Sequence, residues 1–211
     1  MKKHRGRHLL SLLASAALLA SLLPAAFAAE AEGEKHITIL GTSDMHGNIW
    51  GYSYEDNAET DNNGMARLYT YIQQVRAENP NTFLVDAGDD IQGTIMTDDL
   101  YNKTPEEPHP VVTAMNYMGY DAMTLGNHEF NYAPQIQWNY YNLLTSTDKA
   151  VAGQPVDVIC SNVVETETNE SVFSPYKTFT YKFEDGTTFT IGLLGFENMN
   201  NANWDVASHY E

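Results

Sequence analysis

Cysteine is nearly missing from this sequence: Cys160 is the only one in 211 residues. That excludes an internal disulfide and a cysteine-based zinc site. Cys160 sits in VDVICSNVV, Val156 to Val164, which reads as a strand with the thiol as a small buried filler. Basic residues are also scarce, with 11 Lys+Arg against 28 Asp+Glu and a net charge of −17. A surface of that sign repels nucleic-acid polymers and anionic lipid, so neither is an expected partner. Long apolar runs are confined to the N-terminus. Lys2, Lys3, Arg5 and Arg7 precede a stretch from Leu9 to Leu23 that is interrupted by Ser11, Ser15 and Ser21 and followed by Pro24, which makes it short for a membrane span. Ala26-Phe27-Ala28 then has the small-x-small pattern of a cleavage site. Residues 1–28 are therefore expected to be a signal peptide, with a retained helical anchor as the competing reading. The product would be exported (extracellular, periplasmic or cell-wall associated) with no stable membrane insertion after cleavage.

Cleavage would leave seven Lys+Arg against 28 Asp+Glu on residues 29–211, a net charge of −21. Most of that acidity simply keeps an exported protein soluble. A phosphate-bearing substrate would still need a local positive charge that these side chains do not supply, and a bound divalent metal could supply it.

What is present has a regular rhythm. His36 to Leu40 predicts a strand ending at Gly41, with Asp44, Met45 and His46 on the turn beyond it. Trp50 to Asn63 is an acidic loop, and Met65, Leu68, Ile72 and Val75 then recur at helical spacing until Asn79-Pro80 stops the helix. Thr82 to Val85 predicts a second strand, followed at once by Asp86, Gly88, Asp89 and Asp90. Val111, Ala114, Met115 and Met118 mark another helix closed by Gly119, and Asp121 to Leu125 a third strand that runs into Gly126, Asn127, His128 and Glu129. Strands alternating with helices imply an α/β fold with a largely parallel sheet. Ligands of such sheets gather at the carboxyl ends of the strands, where all three polar clusters fall. Tyr176 to Phe183 and Thr187 to Leu194 flank Glu184-Asp185-Gly186 and predict a β-hairpin.

Each cluster has an ordinary structural explanation when taken singly. Asp44 and His46 could be a turn aspartate and a surface histidine, Asp89 a cap, and Asn127 with His128 a tight turn. Together they offer carboxylate, imidazole and amide oxygen from three strand ends, without a lysine or cysteine among them. Those are ligands for hard or borderline divalent ions. Two such ions about 3.5–4 Å apart, bridged by a carboxylate, make a clamp for phosphoryl transfer. His36, His109 and His209 fall in no motif and read as surface or capping histidines.

Asp44-Met45-His46-Gly47-Asn48, Gly88-Asp89-Asp90-Ile91-Gln92-Gly93 and Gly126-Asn127-His128-Glu129 resemble, in order, the first three motifs of the calcineurin-like metallophosphoesterases. The similarity runs from about Ile37 to Phe196. Within that family the chain is most similar to the exported 5′-nucleotidase group, and there to its 2′,3′-cyclic-nucleotide 2′-phosphodiesterase/3′-nucleotidase branch. The resemblance implies an α/β/β/α sandwich and two divalent ions, drawn from Mn, Zn, Fe, Co or Mg. It implies that Asp44 and His46 bind the first ion, Asp89 bridges, Asn127 binds the second, and His128 is catalytic beside the phosphoryl group. Glu129 reads as a structural hydrogen-bond partner. The implied substrates are 2′,3′-cyclic nucleotides and 3′-nucleotides. A 5′-nucleotidase, a nucleotide-sugar or dinucleotide hydrolase, and an inactive binding module stay open as alternatives.

Two departures from the family pattern stand out. Asn131 replaces an aspartate that in 5′-nucleotidases pairs with the catalytic histidine; it can orient an imidazole but not raise its basicity. The family's two later histidine motifs and its nucleotide-binding domain are absent before Glu211. Residues 29–211 are therefore expected to form a partial N-terminal metallophosphoesterase domain, incomplete at the C-terminus and with little or no turnover alone.

Overall fold

A computed structural model describes residues 33–103, 109–132, 134–147 and 153–204. The expected signal peptide and His209 lie outside the described residues. The chain divides into two compact units, residues 1–36 and 37–211. Of the first, only 33–36 are described, a turn and a stretch without regular structure in which His36 Nε2 lies 3.9 Å from Glu34 Oε1.

The second unit is built on four parallel strands in the order β1 (Thr38–Thr42), β4 (Thr82–Asp86), β5 (Ala122–Met123), β6 (Asp157–Val158). Register pairs Thr42 with Asp86, Asp86 with Met123, and Met123 with Val158, so the carboxyl ends fall on one edge. β4 is central and buried along nearly its whole length, as expected for a strand covered on both faces. Leu84 faces the helices, while the neighbouring Phe83 turns the other way, onto Phe179 (ring centroids 4.8 Å apart) and Tyr181 (6.1 Å). Those aromatics belong to the antiparallel hairpin β7 (Tyr176–Lys182) and β8 (Thr188–Leu194), which forms a second β layer. The described residues thus supply three layers of the expected sandwich: helices, parallel sheet and hairpin.

The helix α1 (Met65–Glu78) turns Met65 and Ile72 into the core. No side chain caps its start; instead the Met65 and Ala66 N–H groups donate to the carbonyls of Asn48 (2.9 Å) and Ile49 (3.0 Å), which fastens the helix to the turn after β1. α3 (Pro110–Met118) opens with Pro110 behind a His109 cap and closes at Gly119, whose φ of 72° is left-handed. Arg76 of α1 donates to the carbonyls of Met118 and Gly119 at that end.

Several elements escape sequence reading. The acidic loop contains a two-residue antiparallel pair, β2 (Tyr52–Ser53) and β3 (Ala58–Glu59). A helix α2 (Ile95–Lys103) precedes α3, so the connection from β4 to β5 holds two helices where one was expected. α2 has little apolar periodicity, and Thr94 and Thr97 bind reciprocally at its start. α4 (Pro134–Leu144) hides its buried Tyr140, Tyr141 and Leu144 among Gln and Asn. The third strand is shorter than expected, yet the Asp121 and Thr124 N–H groups still reach Leu84 O and Asp86 O on either side of it. Cys160 lies two residues past β6 and is fully buried. One further turn of helix, α5 (Asn201–Trp204), packs against the turn at 127–130.

Candidate metal centre

Three left-handed residues mark the turns that leave β1 and β4: Asp44 (φ 57°), His46 (φ 48°) and Asp89 (φ 64°). Such backbone is costly for residues with a Cβ and survives only where the surroundings over-determine it. Here the two turns are stitched together by backbone bonds, from Asp44 N to Gly88 O (2.9 Å), His46 N to Asp89 O (2.9 Å) and Gly47 N to Asp90 O (2.7 Å). The third turn, a 3-10 turn over Asn127–Phe130, is clamped to the second by Glu129. Its carboxylate is fully buried and accepts from Asp89 N, Asp90 N and Gly126 N, each at 2.7 Å. Gly88 and Gly126 permit this approach, since a Cβ on Gly126 would stand 2.4 Å from Asp89 Oδ1.

The clamped turns bring donor atoms of His46, Asp89 and His128 within 4.8 Å of one another. The two imidazoles meet edge to face, with centroids 4.9 Å apart at 77°. Asp44 Oδ1 lies 3.8 Å from His46 Nε2 on the open side. Asn127, half-buried, begins the 3-10 turn one residue before His128. The His128 N–H donates to Asp89 Oδ1 (2.7 Å). His46 Nδ1 is 2.9 Å from the Gln92 carbonyl, an acceptor only, so Nδ1 carries a proton and Nε2 is the nitrogen that holds the lone pair in the neutral ring. His128 Nδ1 lies 2.6 Å from Gln92 Oε1 and 2.7 Å from Asn131 Oδ1, with the same consequence.

Around these atoms negative charge is crowded. Burial, helped by the charges of Asp86 and Glu129, raises Asp90 well above the ordinary carboxyl range, and its oxygens meet no N–H or hydroxyl donor among the described residues. Burial likewise raises Asp86, against its side-chain bond with Asp90 and bonds from Thr42 Oγ1 and the Gly88 N–H, and pushes Glu129 up to about 7 against its three backbone donors. Glu197 lies two residues past Gly195 and is buried. Burial first, then the Asp89 charge, push it up to about 7. Among the described residues such a site has no counter-charge of its own. A divalent cation beside His46 Nε2 and Asp89 would receive an imidazole and a carboxylate, a donor set that suits it, with His128 close by, and would relieve the surrounding repulsion.

Residues 37–206 match the sequence profile described as calcineurin-like phosphoesterase. The chain belongs to that family. As a calcineurin-like phosphoesterase it is 32% identical over 200 residues to the 2′,3′-cyclic-nucleotide 2′-phosphodiesterase/3′-nucleotidase of Salmonella typhimurium, covering 92% of this chain and 29% of that one. It is 35% identical over 182 residues to the trifunctional nucleotide phosphoesterase protein YfkN of Bacillus subtilis, covering 81% of this chain and 12% of that one. The crystal structure of YfkN superposes with a TM-score of 0.68 at 32% identity, over 80% of this chain and 50% of that chain. The phosphoesterase chain thus spans less than a third of the length of these two curated relatives.

Sequence reasoning singled out five residues for this centre, and the structure draws His46, Asp89 and His128 together, with Asp44 at their edge and Asn127 beside His128. It passed over Gln92, which touches both imidazoles, and Glu197. Gln92 had a signal, its place within GDDIQG; Glu197 had none, because its approach depends on where β8 ends.

Proposed function

We propose that this chain carries metal ligands of an exported phosphoesterase that hydrolyses 2′,3′-cyclic nucleotides and 3′-nucleotides to nucleoside and phosphate. The observation that carries the reading is the convergence of His46, Asp89 and His128 donors within 4.8 Å at the carboxyl edge of the sheet. Asp44 and His46 serve the first of two divalent cations, Asp89 both, and Asn127 the second. When bound, the cations supply Lewis-acid neutralisation of the phosphoryl oxygens, which the acidic chain cannot provide. His128 stands beside the transferring group, and its Nδ1–H, held by Gln92 and Asn131, keeps Nε2 directed at that group as charge develops. The substrate class rests on the Salmonella relative and on Asn131, the residue of the cyclic-phosphodiesterase branch, at the position facing His128. A broader range that includes 5′-nucleotides is the second reading, favoured by the trifunctional relative.

The test is a Mn2+ titration of the chain by calorimetry, beside rates on 2′,3′-cyclic AMP, 3′-AMP and 5′-AMP. Wild type should bind Mn2+ and Asp89→Asn should lose at least ten-fold in affinity, while the cyclic substrate and 3′-AMP are turned over in a chelator-sensitive way. Equal Mn2+ affinity in the two proteins would refute the metal centre; turnover confined to 5′-AMP would overturn the substrate class.

A further inference from the structure

We propose that Gln92 is the positioning residue of this centre: its backbone carbonyl and its side-chain oxygen each hold the Nδ1–H of one imidazole, so that His46 and His128 present Nε2 toward Asp89 together. The inference rests on the metal-centre reading for its purpose, though not for its geometry. An imidazole left alone exchanges its two tautomers and can flip about its Cβ–Cγ bond, which trades a nitrogen for a carbon at the place where a ligand must stand. Partners on the remote nitrogen prevent both, as is general for histidines that bind metals. Here the remote nitrogen of His46 meets Gln92 O at 2.9 Å, and that of His128 meets Gln92 Oε1 at 2.6 Å.

Gln92 can do this because its own place is tightly held. Ile91 before it is fully buried, and Asp90 N is fixed by Glu129. Gly93 after it has φ 142°, and a Cβ there would lie 2.7 Å from His46 Cβ and 2.8 Å from His46 O, so the backbone is packed flat against the histidine it supports. Both contacts come from one residue, so a shift of the 91–93 segment moves both imidazoles in concert. Asn131 shares the load on His128 only, at 2.7 Å. Both partners are neutral amides, so what they supply to His128 is orientation.

The side-chain half is separable by substitution. In metal-free, 15N-labelled chain at pH 8, two-bond proton–nitrogen spectra report the tautomer of each histidine. Wild type should show Nδ1–H at both His46 and His128. Gln92→Leu should leave His46 as it was, because the backbone carbonyl remains, and shift the tautomer ratio of His128 about five-fold toward Nε2–H, the effect of losing one of two shared acceptors. Gln92→Glu restores an acceptor and should restore the wild-type ratio. Mn2+ affinity should stay within about two-fold of wild type in Gln92→Leu, because the backbone carbonyl still holds the ligand His46, with circular dichroism confirming the fold of each variant. A His128 ratio unchanged by Gln92→Leu, or Nε2–H at either histidine in wild type, overturns the positioning role. A shifted ratio in a chain that binds no Mn2+ would uphold the positioning role and sink the metal-centre reading instead.

Discussion

Replacing Gly88 by alanine separates two demands that glycine meets here. The first is conformational: Gly88 sits at φ 90°, where a Cβ costs about 1 kcal/mol. The second is spatial, since a Cβ would stand 2.1 Å from Gly126 N and 2.6 Å from Leu125 C, both backbone atoms that cannot swing aside. Restoring ordinary contact at about 3.5 Å requires the turns after β4 and β5 to part by more than about 1 Å. A displacement of that size breaks the 2.7 Å bond from Gly126 N to Glu129 and strains the companion bond from Asp89 N. Hydrogen bonds to a buried charged group are worth about 1.5–3 kcal/mol each, so Gly88→Ala should cost about 4–7 kcal/mol in all, a large part of the ~5–15 kcal/mol of a typical domain. Gly186→Ala is the control. Its φ is 85° and nothing lies within 4 Å of the position, so only the conformational cost of about 1 kcal/mol applies. Urea unfolding in the presence of a chelator measures both. Losses for the two variants within 1 kcal/mol of each other would refute the claim that the strand ends are held at backbone contact.

Two further outcomes follow from the charges. Burial lowers the His109 pKa to about 3, below its ordinary value near 6.5, so between those values the unfolded chain binds the extra proton and stability is lost as pH falls. The loss amounts to about 2 kcal/mol at pH 5 relative to pH 7. His109→Asn, which keeps a capping acceptor for Val111 N, should flatten the urea-measured dependence by that amount, and an unchanged slope would contradict the assignment. Arg76→Met removes the guanidinium from the carbonyls of Met118 and Gly119 and should cost about 2–3 kcal/mol, lowering Tm by about 6–10 °C; a drop under about 2 °C would mean that water replaces it.

Legibility in the sequence followed the strength of local signals. α3 carried a proline at its start, a glycine at its end and an apolar stripe between them, and it was readable to within a residue. The hairpin was equally plain, because Asp185-Gly186 sits between alternating runs. α2 and α4 were not readable, since Thr97 in the one and Gln137, Tyr140 and Tyr141 beside Leu144 in the other are buried side chains whose periodicity is blurred by polarity. Asp44, His46, Asp89, Asn127 and His128 could be singled out because each follows a strand whose end could be located. Glu197 could not, and for Gln92 the motif GDDIQG marked the position but not the role, because its neighbours are distant in sequence: 46 residues separate Gln92 from His46, and 36 separate it from His128.

The sequence by itself determined an α/β chain, its family, and the residue types available for a divalent cation, because strand ends and short motifs are local properties written in consecutive residues. Only the tertiary structure decided which of those atoms meet, which nitrogen of each histidine is left free, and which acids are buried. Those outcomes depend on parallel register and on backbone contact at Gly88 and Gly126, which aligns three distant turns to within a hydrogen-bond length.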